Sequence, residues 1–411
     1  MALGLTQFVA GLLKLQGVVV EGVELEQGPT GKGPTIVISV RQRAGRQPRC
    51  SRCDRPVAGT GHEERVRRWR TLPMLGHPCF LQARVRRVWC ACTGQAHVEA
   101  VPWARAAARV TRVLERAVGT LSRLTDTTTT ARHFGLAWRT VAGIEARLAG
   151  EQLTPSRFDG LLMLGIDEIS HRRGQHYLTI VTDLLVGDVV WIGEGRSQAT
   201  LSSFFEELGA RRCRQIEAVV TDLHTPYHNA VRRYAPQAAL AFDRFHLVAL
   251  LNKALDELRR SEFARLEQDE RVWIKGTRWA LLKDPSWLTP RQEQSLATLE
   301  RRNRRLFRGY LLKEAFREAW VWKDVVGTRR RLKRWLAWAL RCRLRPLVRF
   351  ARTVRAHLDG ILTAVELGLS SGIVEGINNK IKTILKRSYG FLHTDNFIRR
   401  IYFCCLDFEI T

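Results

Sequence analysis

Leu161-Leu-Met-Leu-Gly-Ile166 is a continuous apolar run that stops abruptly at Asp167-Glu168. A run of that length reads as a strand rather than a helix. Acids just past such strands fall where an open sheet carries its site. Further β-like runs follow at His176–Val181 and Asp188–Ile192, separated by turns at Arg173-Gly174 and Val186-Gly187-Asp188. Ser197–Leu208 reads as a helix, and Ile216–Val220 as a buried strand ending in Thr221-Asp222. Pro226–Tyr234 is then a short helix, and Ala238–Phe242 a fifth strand ending at Asp243.

Three strands in succession, then strands alternating with helices, is the order of an RNase H-like mixed sheet. From Phe245 to about Leu362 the pattern is helical, with breaks at Asp284-Pro285 and Leu288-Thr-Pro290. Upstream, Gly17–Leu25 and Pro34–Arg41 alternate like strands joined through the glycine-rich stretch Gly28–Gly33. Cys50-Ser-Arg-Cys53, with Asp54-Arg55-Pro56 behind it, has the chemistry of a zinc knuckle. Cys90-Ala-Cys92 follows the alternating Arg84–Trp89 segment, so two Cys pairs on two turns would supply a tetrahedral thiolate site for structural Zn²⁺. The second pair is tighter than the first, which leaves Cys79, His62 and His77 as candidate substitutes for one ligand. The nine cysteines do not form a disulfide framework, and a reducing, cytoplasmic setting fits them better.

Between them lies a helical stretch with Val110, Val113, Leu114, Ala117, Val118, Leu121 and Leu124 at i, i+3, i+4 spacing. Thr128–Phe134, a turn at Gly135, and a second helix with Val141, Ile144 and Leu148 facing inward make a helix-turn-helix pattern. Arg139 on the second helix is a candidate DNA contact. Pro155 marks a boundary.

Charge narrows the partners. Lys and Arg total 67 against 40 acids, a net charge of +27 that favours a polyanion such as nucleic acid. Residues 301–350 alone carry 17 basic side chains against Glu314, Glu318 and Asp324, and seven of the 12 tryptophans lie between Trp273 and Trp338. Guanidinium pairs with phosphate and indole packs on sugar or base, so this block is either a DNA surface or a Trp-rich core with a solvated Arg face. No apolar run approaches the roughly 18 residues of a membrane-spanning helix. Lys14 interrupts the apolar stretch Phe8–Val20, and no basic segment precedes it. Neither a secreted nor an integral membrane protein is expected.

The late segment Ser370–Lys386 supplies a third acid, Glu375. Asn378, Asn379, Lys382 and Lys386 follow it at i+3, i+4, i+7 and i+11, on one helical face. Ile373, Ile377, Ile381 and Ile384 lie on another face that could pack on the sheet. Carboxylates that hold cations beside amides and ammonium groups that hold phosphate suit a metal-dependent phosphodiester enzyme.

Gly165-Ile-Asp167-Glu168, Val220-Thr-Asp222, Asp243-Arg-Phe-His246 and Gly372-Ile-Val-Glu375-Gly-Ile-Asn-Asn-Lys380-Ile-Lys382, with Tyr389-Gly390-Phe391 behind, resemble the DDE transposases of bacterial insertion sequences. The match is to the ISL-three family, which carries an N-terminal zinc finger, and it runs from about residue 40 to residue 400. The chain departs from it at Cys90-Ala-Cys92, which is more closely spaced than the family pattern. The resemblance implies a catalytic triad of Asp167, Asp222 and Glu375 holding two Mg²⁺ (or Mn²⁺) ions. By position, Asp243 reads as support for the triad or as a ligand in place of Asp222, and His246 as orienting a carboxylate, touching DNA or serving the fold; Glu168 would point away from the ions, and His224 and His228 read as loop residues rather than ligands. Arg139, Asn378, Asn379, Lys380, Lys382 and Lys386 would contact DNA.

The acids lie 55 and 153 residues apart, and the second gap implies a helical insertion within the nuclease fold. The expected order is a β and zinc-finger domain (1–100), a helix-turn-helix (104–152), and the first part of the catalytic core (158–254). An Arg/Trp-rich insertion (255–365) and the rest of the core (366–411) follow. The partners implied are double-stranded DNA, as terminal inverted repeats and target, and a second copy of the chain in a homodimer or larger synaptic assembly. The setting implied is the bacterial cytoplasm and nucleoid. The rival readings are a non-enzymatic DNA-binding regulator and a metal-dependent nuclease without strand transfer.

Overall fold

The computed structural model describes residues 4–13, 15, 17–27, 33–43, 45, 47–57, 64–319, 324–368 and 372–406. His62 and most of the Gly28–Gly33 turn lie outside them, as do the side chains of Trp273, Trp320 and Trp322. The chain divides into two compact units, one built from the residues up to Gln152 with Arg387–Gly390, the other from Leu153–Lys386 and the segment from Phe391. No helix among the described residues is long and apolar enough to cross a membrane.

The first unit opens with α1 (Leu5–Leu13), β1 (Val18–Glu26), β2 (Thr35–Gln42), β3 (Glu64–Met74), β4 (His77–Cys90) and β5 (Gln95–Val98). They form a sheet in the order β1-β2-β4-β3, with β5 paired to the far end of β4. Only β2 and β4 run parallel. One face of β4 buries Cys79, Leu81, Ala83 and Val85 with Ile36, Ile38, Trp69 and Trp103, while its alternate residues include exposed arginines. Cys79 is therefore core, not ligand, and burial pushes its thiol up to about 11.

Three helices complete the unit: α2 (Arg112–Leu124), α3 (Thr127–Phe134) and α4 (Trp138–Gln152). Thr111 caps α2 by accepting from Leu114 N–H, Asp126 caps α3 by accepting from Thr129 N–H, and Gly135 ends α3 with a left-handed φ of 61°. The α2 stripe is narrower than its spacing suggests. Leu114 and Val118 are buried, whereas Val113 and Leu124 are exposed, because α4 covers only one side of α2 with Val141, Ile144 and Leu148. Buried Glu115 on α2 is matched by Arg105 at 2.8 Å and by Arg147.

The second unit begins with β6 (Met163–Arg172), β7 (His176–Asp183), β8 (Val189–Glu194), α5 (Gln198–Leu208), α6 (Ala210–Cys213), β9 (Ala218–Thr221), α7 (Thr225–Tyr234) and β10 (Ala239–Phe242). The sheet order is β10-β9-β6-β7-β8. β6, β7 and β8 are antiparallel, and β9 and β10 run parallel to β6. Leu164, Ile166, Val181 and Val219 face one way, into a layer with Leu201, Phe204, Phe205, Tyr227 and Val231 of α5 and α7. β6 extends past the apolar run that announces it, because its hairpin with β7 continues to Arg172 after the β9 pairing has ended at Ile166.

The chain then turns helical: α8 (Arg244–Phe263), α9 (Gln268–Gly276), α10 (Arg278–Leu282), α11 (Pro290–Arg302), α12 (Arg304–Glu318), α13 (Val325–Arg341), α14 (Arg345–Ala356) and α15 (Leu358–Glu366). Their core joins Leu247, Leu251, Leu255, Leu258, Leu312, Phe316, Trp335 and Phe350. The tryptophans divide. Trp335 is core, donating its indole N–H to Leu312 O at 2.8 Å, while Trp279 and Trp287 are 59% and 76% exposed. Several arginines are taken up by buried acids: Asp256 holds Arg259 and Arg260, and Glu262 holds Arg265 and Arg305.

Two helices close the unit, α16 (Gly372–Arg387) and α17 (Thr394–Cys405). α16 buries Val374, Ile377, Asn378, Ile381 and Ile384, but leaves Ile373 exposed. Val374 packs with Val220, Ala241 and Leu184 on the face of the sheet opposite α5. Gly165 makes that seat possible, since a Cβ there would lie 2.7 Å from Val374 Cγ2 and 2.8 Å from Leu184 Cδ2. Gly165→Ala should therefore destabilise the unit by about 1–3 kcal/mol, the cost of overpacking a filled seam. Urea unfolding measures it, and an unchanged midpoint with unchanged slope would show that α16 does not rest there.

Candidate functional site

Parallel pairing sets the first feature of the site. β6 and β9 are in register from Met163↔Ala218 to Ile166↔Thr221, and β9 and β10 from Ala239↔Ala218 to Phe242↔Thr221. One residue further along each strand stand Asp167, Asp222 and Asp243, side by side on three neighbouring strands. Gly165, Val220 and Ala241 face the α16 side. Strand alternation therefore directs the three carboxylates to that side too. Asp222 Oδ1 accepts from His224 N–H at 3.0 Å, and Asp243 Oδ1 accepts from Phe245 N–H at 2.8 Å at the start of α8.

Three donors surround Asp167. The Glu168 backbone N–H reaches its Oδ1 at 2.7 Å, the Asn378 amide nitrogen donates to Oδ2, and His246 Nε2 lies 3.9 Å from Oδ1. His246 Nε2 is also 3.5 Å from Asp243 Oδ2. The Asp167 carboxylate, working against burial and helped by the charges of Asp243 and Asp222, pushes the imidazole pKa up to about 9. His246 is thus an imidazolium at neutral pH, set between acids that would otherwise repel one another.

The other expected residues fall as follows. Glu375 lies in the first turn of α16, exposed, one turn before Asn378. Asn379, Lys380, Lys382 and Lys386 are exposed on α16, and Arg139 is exposed on α4. Asn378, expected to face DNA, is 8% exposed and bonded to Asp167. The α16 face that rests on the sheet is wide enough to take in this polar residue. Glu168, the next residue along β6 after Asp167, pairs across to Thr179, which bonds Tyr227 of α7, so it faces the side away from α16. Burial raises its pKa, and the Asp222 charge adds to that. Arg196 donates to Glu168 Oε1 at 3.2 Å while its guanidinium stacks 4.1 Å from the Tyr177 ring.

Nothing in the sequence marks Arg196 beyond its place after Gly195 at the mouth of α5. His224 Nε2 pairs with Arg196 O and His228 Nε2 with Asp222 O, each at 2.9 Å, so both brace the loop behind Asp222. Buried oxygens without partners remain on Glu168 (Oε2) and Asn378 (Oδ1).

A thiolate cluster lies in the first unit. Among the described residues, Cys50, Cys53 and Cys90 are the one group of three or more metal-ligating side chains whose donor atoms all lie within 4.8 Å of one another. The oxygens of Asp167, Asp222 and Glu375 are not drawn together so closely. Cys50 opens a tight turn, with Arg52 N–H directed at its sulfur (3.3 Å) and Asp54 N–H at its carbonyl (2.9 Å). Cys90 ends β4, and its carbonyl accepts from Thr93 and Gly94 in the turn to β5. Cys92 rides that turn, is exposed, and lies outside the group. Burial pushes the Cys90 thiol up, but contacts from Cys53, Thr93 and Cys50 outweigh it and bring the value down to about 6. Converging sulfurs with N–H groups aimed at them suit a structural Zn²⁺.

Comparison with known proteins bears on all three regions. Residues 164–401 match a family model described as transposase. Residues 99–149 match the helix-turn-helix domain of transposase family ISL3, and residues 46–92 match the zinc finger of the transposases of IS204, IS1001, IS1096 and IS1165. The chain is 35% identical to the transposase for insertion sequence element IS1557 of Mycobacterium tuberculosis, over 91% of this chain and 89% of that one. It is 32% identical to the transposase for insertion sequence element IS1001 of Bordetella parapertussis, over 92% of this chain and 94% of that one.

Two measurements follow from this geometry. Protein purified without chelator should carry about one zinc per chain, and Cys53→Ser or Cys90→Ser should lose it. Full zinc in Cys90→Ser by metal analysis would refute the cluster. In magnesium-free protein, the His246 ring should titrate near 9 by NMR. A raised folded-state pKa means that its contribution to stability is complete below the ordinary histidine value of about 6.5 and is lost as pH rises through 9. His246→Gln should therefore be less stable than the parent at pH 6 and equal to it above pH 10. A pH-independent difference would count against the ion pair.

Proposed function

The chain belongs to the ISL3 family of insertion-sequence transposases, and on that premise we propose that it binds the terminal inverted repeats of its element, cuts at the element ends and joins them to target DNA. Asp167, Asp222 and Glu375 are the acids of this reaction. The observation that carries the reading is the site's assembly: Asp167 and Asp222 each lie one residue past the same parallel register, and the helix bearing Glu375 is tied to Asp167 through Asn378.

The donor set fits divalent magnesium. It consists of hard carboxylate oxygens, with the unpaired buried oxygen of Asn378 on the amide that touches Asp167. Two such ions would supply an activated water for the first cut and stabilise the departing oxygen. The protein's own groups do the rest. His246, with Nε2 3.9 Å from Asp167 and 3.5 Å from Asp243, braces both carboxylates. Asn379, Lys380, Lys382 and Lys386 on the exposed side of α16 hold backbone phosphates, and the 3′-OH released by hydrolysis at the element end then attacks a target phosphodiester, the new P–O bond forming as the target's own 3′ oxygen leaves.

The strand order β10-β9-β6-β7-β8 supports an RNase H-like core of residues 158–254 and 366–411, with residues 255–365 as a helical insertion. Exposed Trp279 and Trp287 beside an Arg-rich surface support duplex binding by that insertion. The zinc finger and the helix-turn-helix with Arg139 read the repeats. Joining two ends in one complex calls for a homodimer or larger assembly. The setting is the bacterial cytoplasm and nucleoid.

Asp167→Asn, Asp222→Asn and Glu375→Gln each keep size and remove a charge. All three should bind terminal-repeat DNA within about two-fold of the parent and lose cleavage to a similar extent, by about 10³-fold or more, because the acids act as a unit. Glu375→Gln cutting at near-parental rate would end the triad. A parent that cuts but never joins ends would make the chain a nuclease, and one that does neither would make it a regulator.

A further inference from the structure

We propose that Asn378 is a positioning residue of the acid site: it fixes the Asp167 carboxylate and locks α16, and with it Glu375, over the sheet edge. This rests on the reading of Asp167 and Glu375 as members of one metal-holding set.

The argument begins with where the side chain is. On α16 the buried seam is Val374, Ile377, Ile381 and Ile384, and Asn378 is its one polar member, at 8% exposure. A buried amide in an apolar seam is unfavourable unless it is hydrogen-bonded. Here its nitrogen donates to Asp167 Oδ2, across 211 residues of chain. The other oxygen of Asp167 is already served by Glu168 N–H at 2.7 Å and faced by His246. Asn378 therefore completes the set of donors that holds the carboxylate in one rotamer.

The chemistry of the amide matters as much as its place. Lysine there would neutralise Asp167, aspartate would repel it, and leucine would leave Oδ2 without a donor. An amide holds the carboxylate and leaves its full charge for a cation. Its own oxygen has no partner and is bonded to the same carbon as the nitrogen that touches Asp167. An acceptor thus stands beside the acids, within reach of a cation's hydration shell. Because Glu375 lies three residues earlier on the same helix, the anchor that fixes Asp167 also fixes the turn carrying Glu375.

The test uses the full chain and Mn²⁺ as probe, with binding followed by electron paramagnetic resonance in the absence of DNA. Asn378→Ala should keep its circular dichroism spectrum and its DNA affinity within about two-fold. It should bind Mn²⁺ roughly 10-fold or more weakly, as loss of a group that orients a ligand does. In turnover its kcat should fall while KM for DNA stays level. Asn378→Asp sets a carboxylate against Asp167. Its melting temperature should fall without ions and recover on adding Mn²⁺, by more than the parent gains, a rescue that mere loss of packing would not give.

Asp167→Asn is the control. If it loses Mn²⁺ while Asn378→Ala binds like the parent, the positioning role is overturned and the acid site stands. If Asp167→Asn itself binds like the parent, the acid-site reading fails and takes this inference with it. Loss of DNA affinity in Asn378→Ala equal to that of Lys382→Ala, with Mn²⁺ binding intact, would make Asn378 a DNA contact instead.

Discussion

The site depends on one constraint, the parallel register that ends together at Ile166, Thr221 and Phe242. Neighbouring strands lie about 4.8 Å apart, so the next residue on each brings three like charges side by side. Such a row is tolerable only if other groups answer it. His246 answers with a proton, Asn378 with an amide N–H, and Glu168, His224 and Phe245 with backbone N–H groups. Each donor comes from an element packed around that edge. The edge therefore organises α8 and α16 as much as they organise it.

Much of this was legible in the residues. Apolar runs of strand length, punctuated by Gly and Pro, give the sheet strands in order, because burial and turn chemistry are local properties. The helix-turn-helix was legible for the same reason, with Gly135 ending α3 in the left-handed conformation that glycine adopts readily. What stayed hidden depends on contacts made far along the chain. Helical spacing groups Asn378 with Lys382, yet the sheet seated under α16 takes the first and leaves the second in solvent. Glu168 follows strand alternation away from Asp167, but nothing local announces that Arg196, 28 residues on, is its cation. Cys92 is paired in sequence with Cys90, while the turn after β4 carries it outward. Asp167 reads as the end of a strand and is the end of only one of its two pairings.

The charge pattern carries the same lesson. An Arg-dense block suggests an uninterrupted basic face, but Asp256, Glu262, Glu314 and Asp284 hold several of its cations in local pairs. Those arginines contribute to the helical fold first, and the field felt by a polyanion comes from the remainder. Tryptophan divides likewise, with Trp335 packed between Phe316 and Phe350 and Trp279 and Trp287 outside. Composition reports the sum of two roles that only packing separates.

The anchor between α16 and β6 also has a history in time. Closing so long a segment costs little more than closing a short one, since the entropic penalty grows only with the logarithm of length. It is slow all the same, as distant pairings are. At about 5–20 residues per second of synthesis, roughly 8–30 s separate the ribosomal appearance of Asp222 from that of Glu375, 153 residues later. Throughout that interval the sheet edge lacks the helix that covers it, and Asp167 lacks the Asn378 amide. A nascent chain therefore carries this sheet edge open, with Asp167 short of one donor, until α16 has been made.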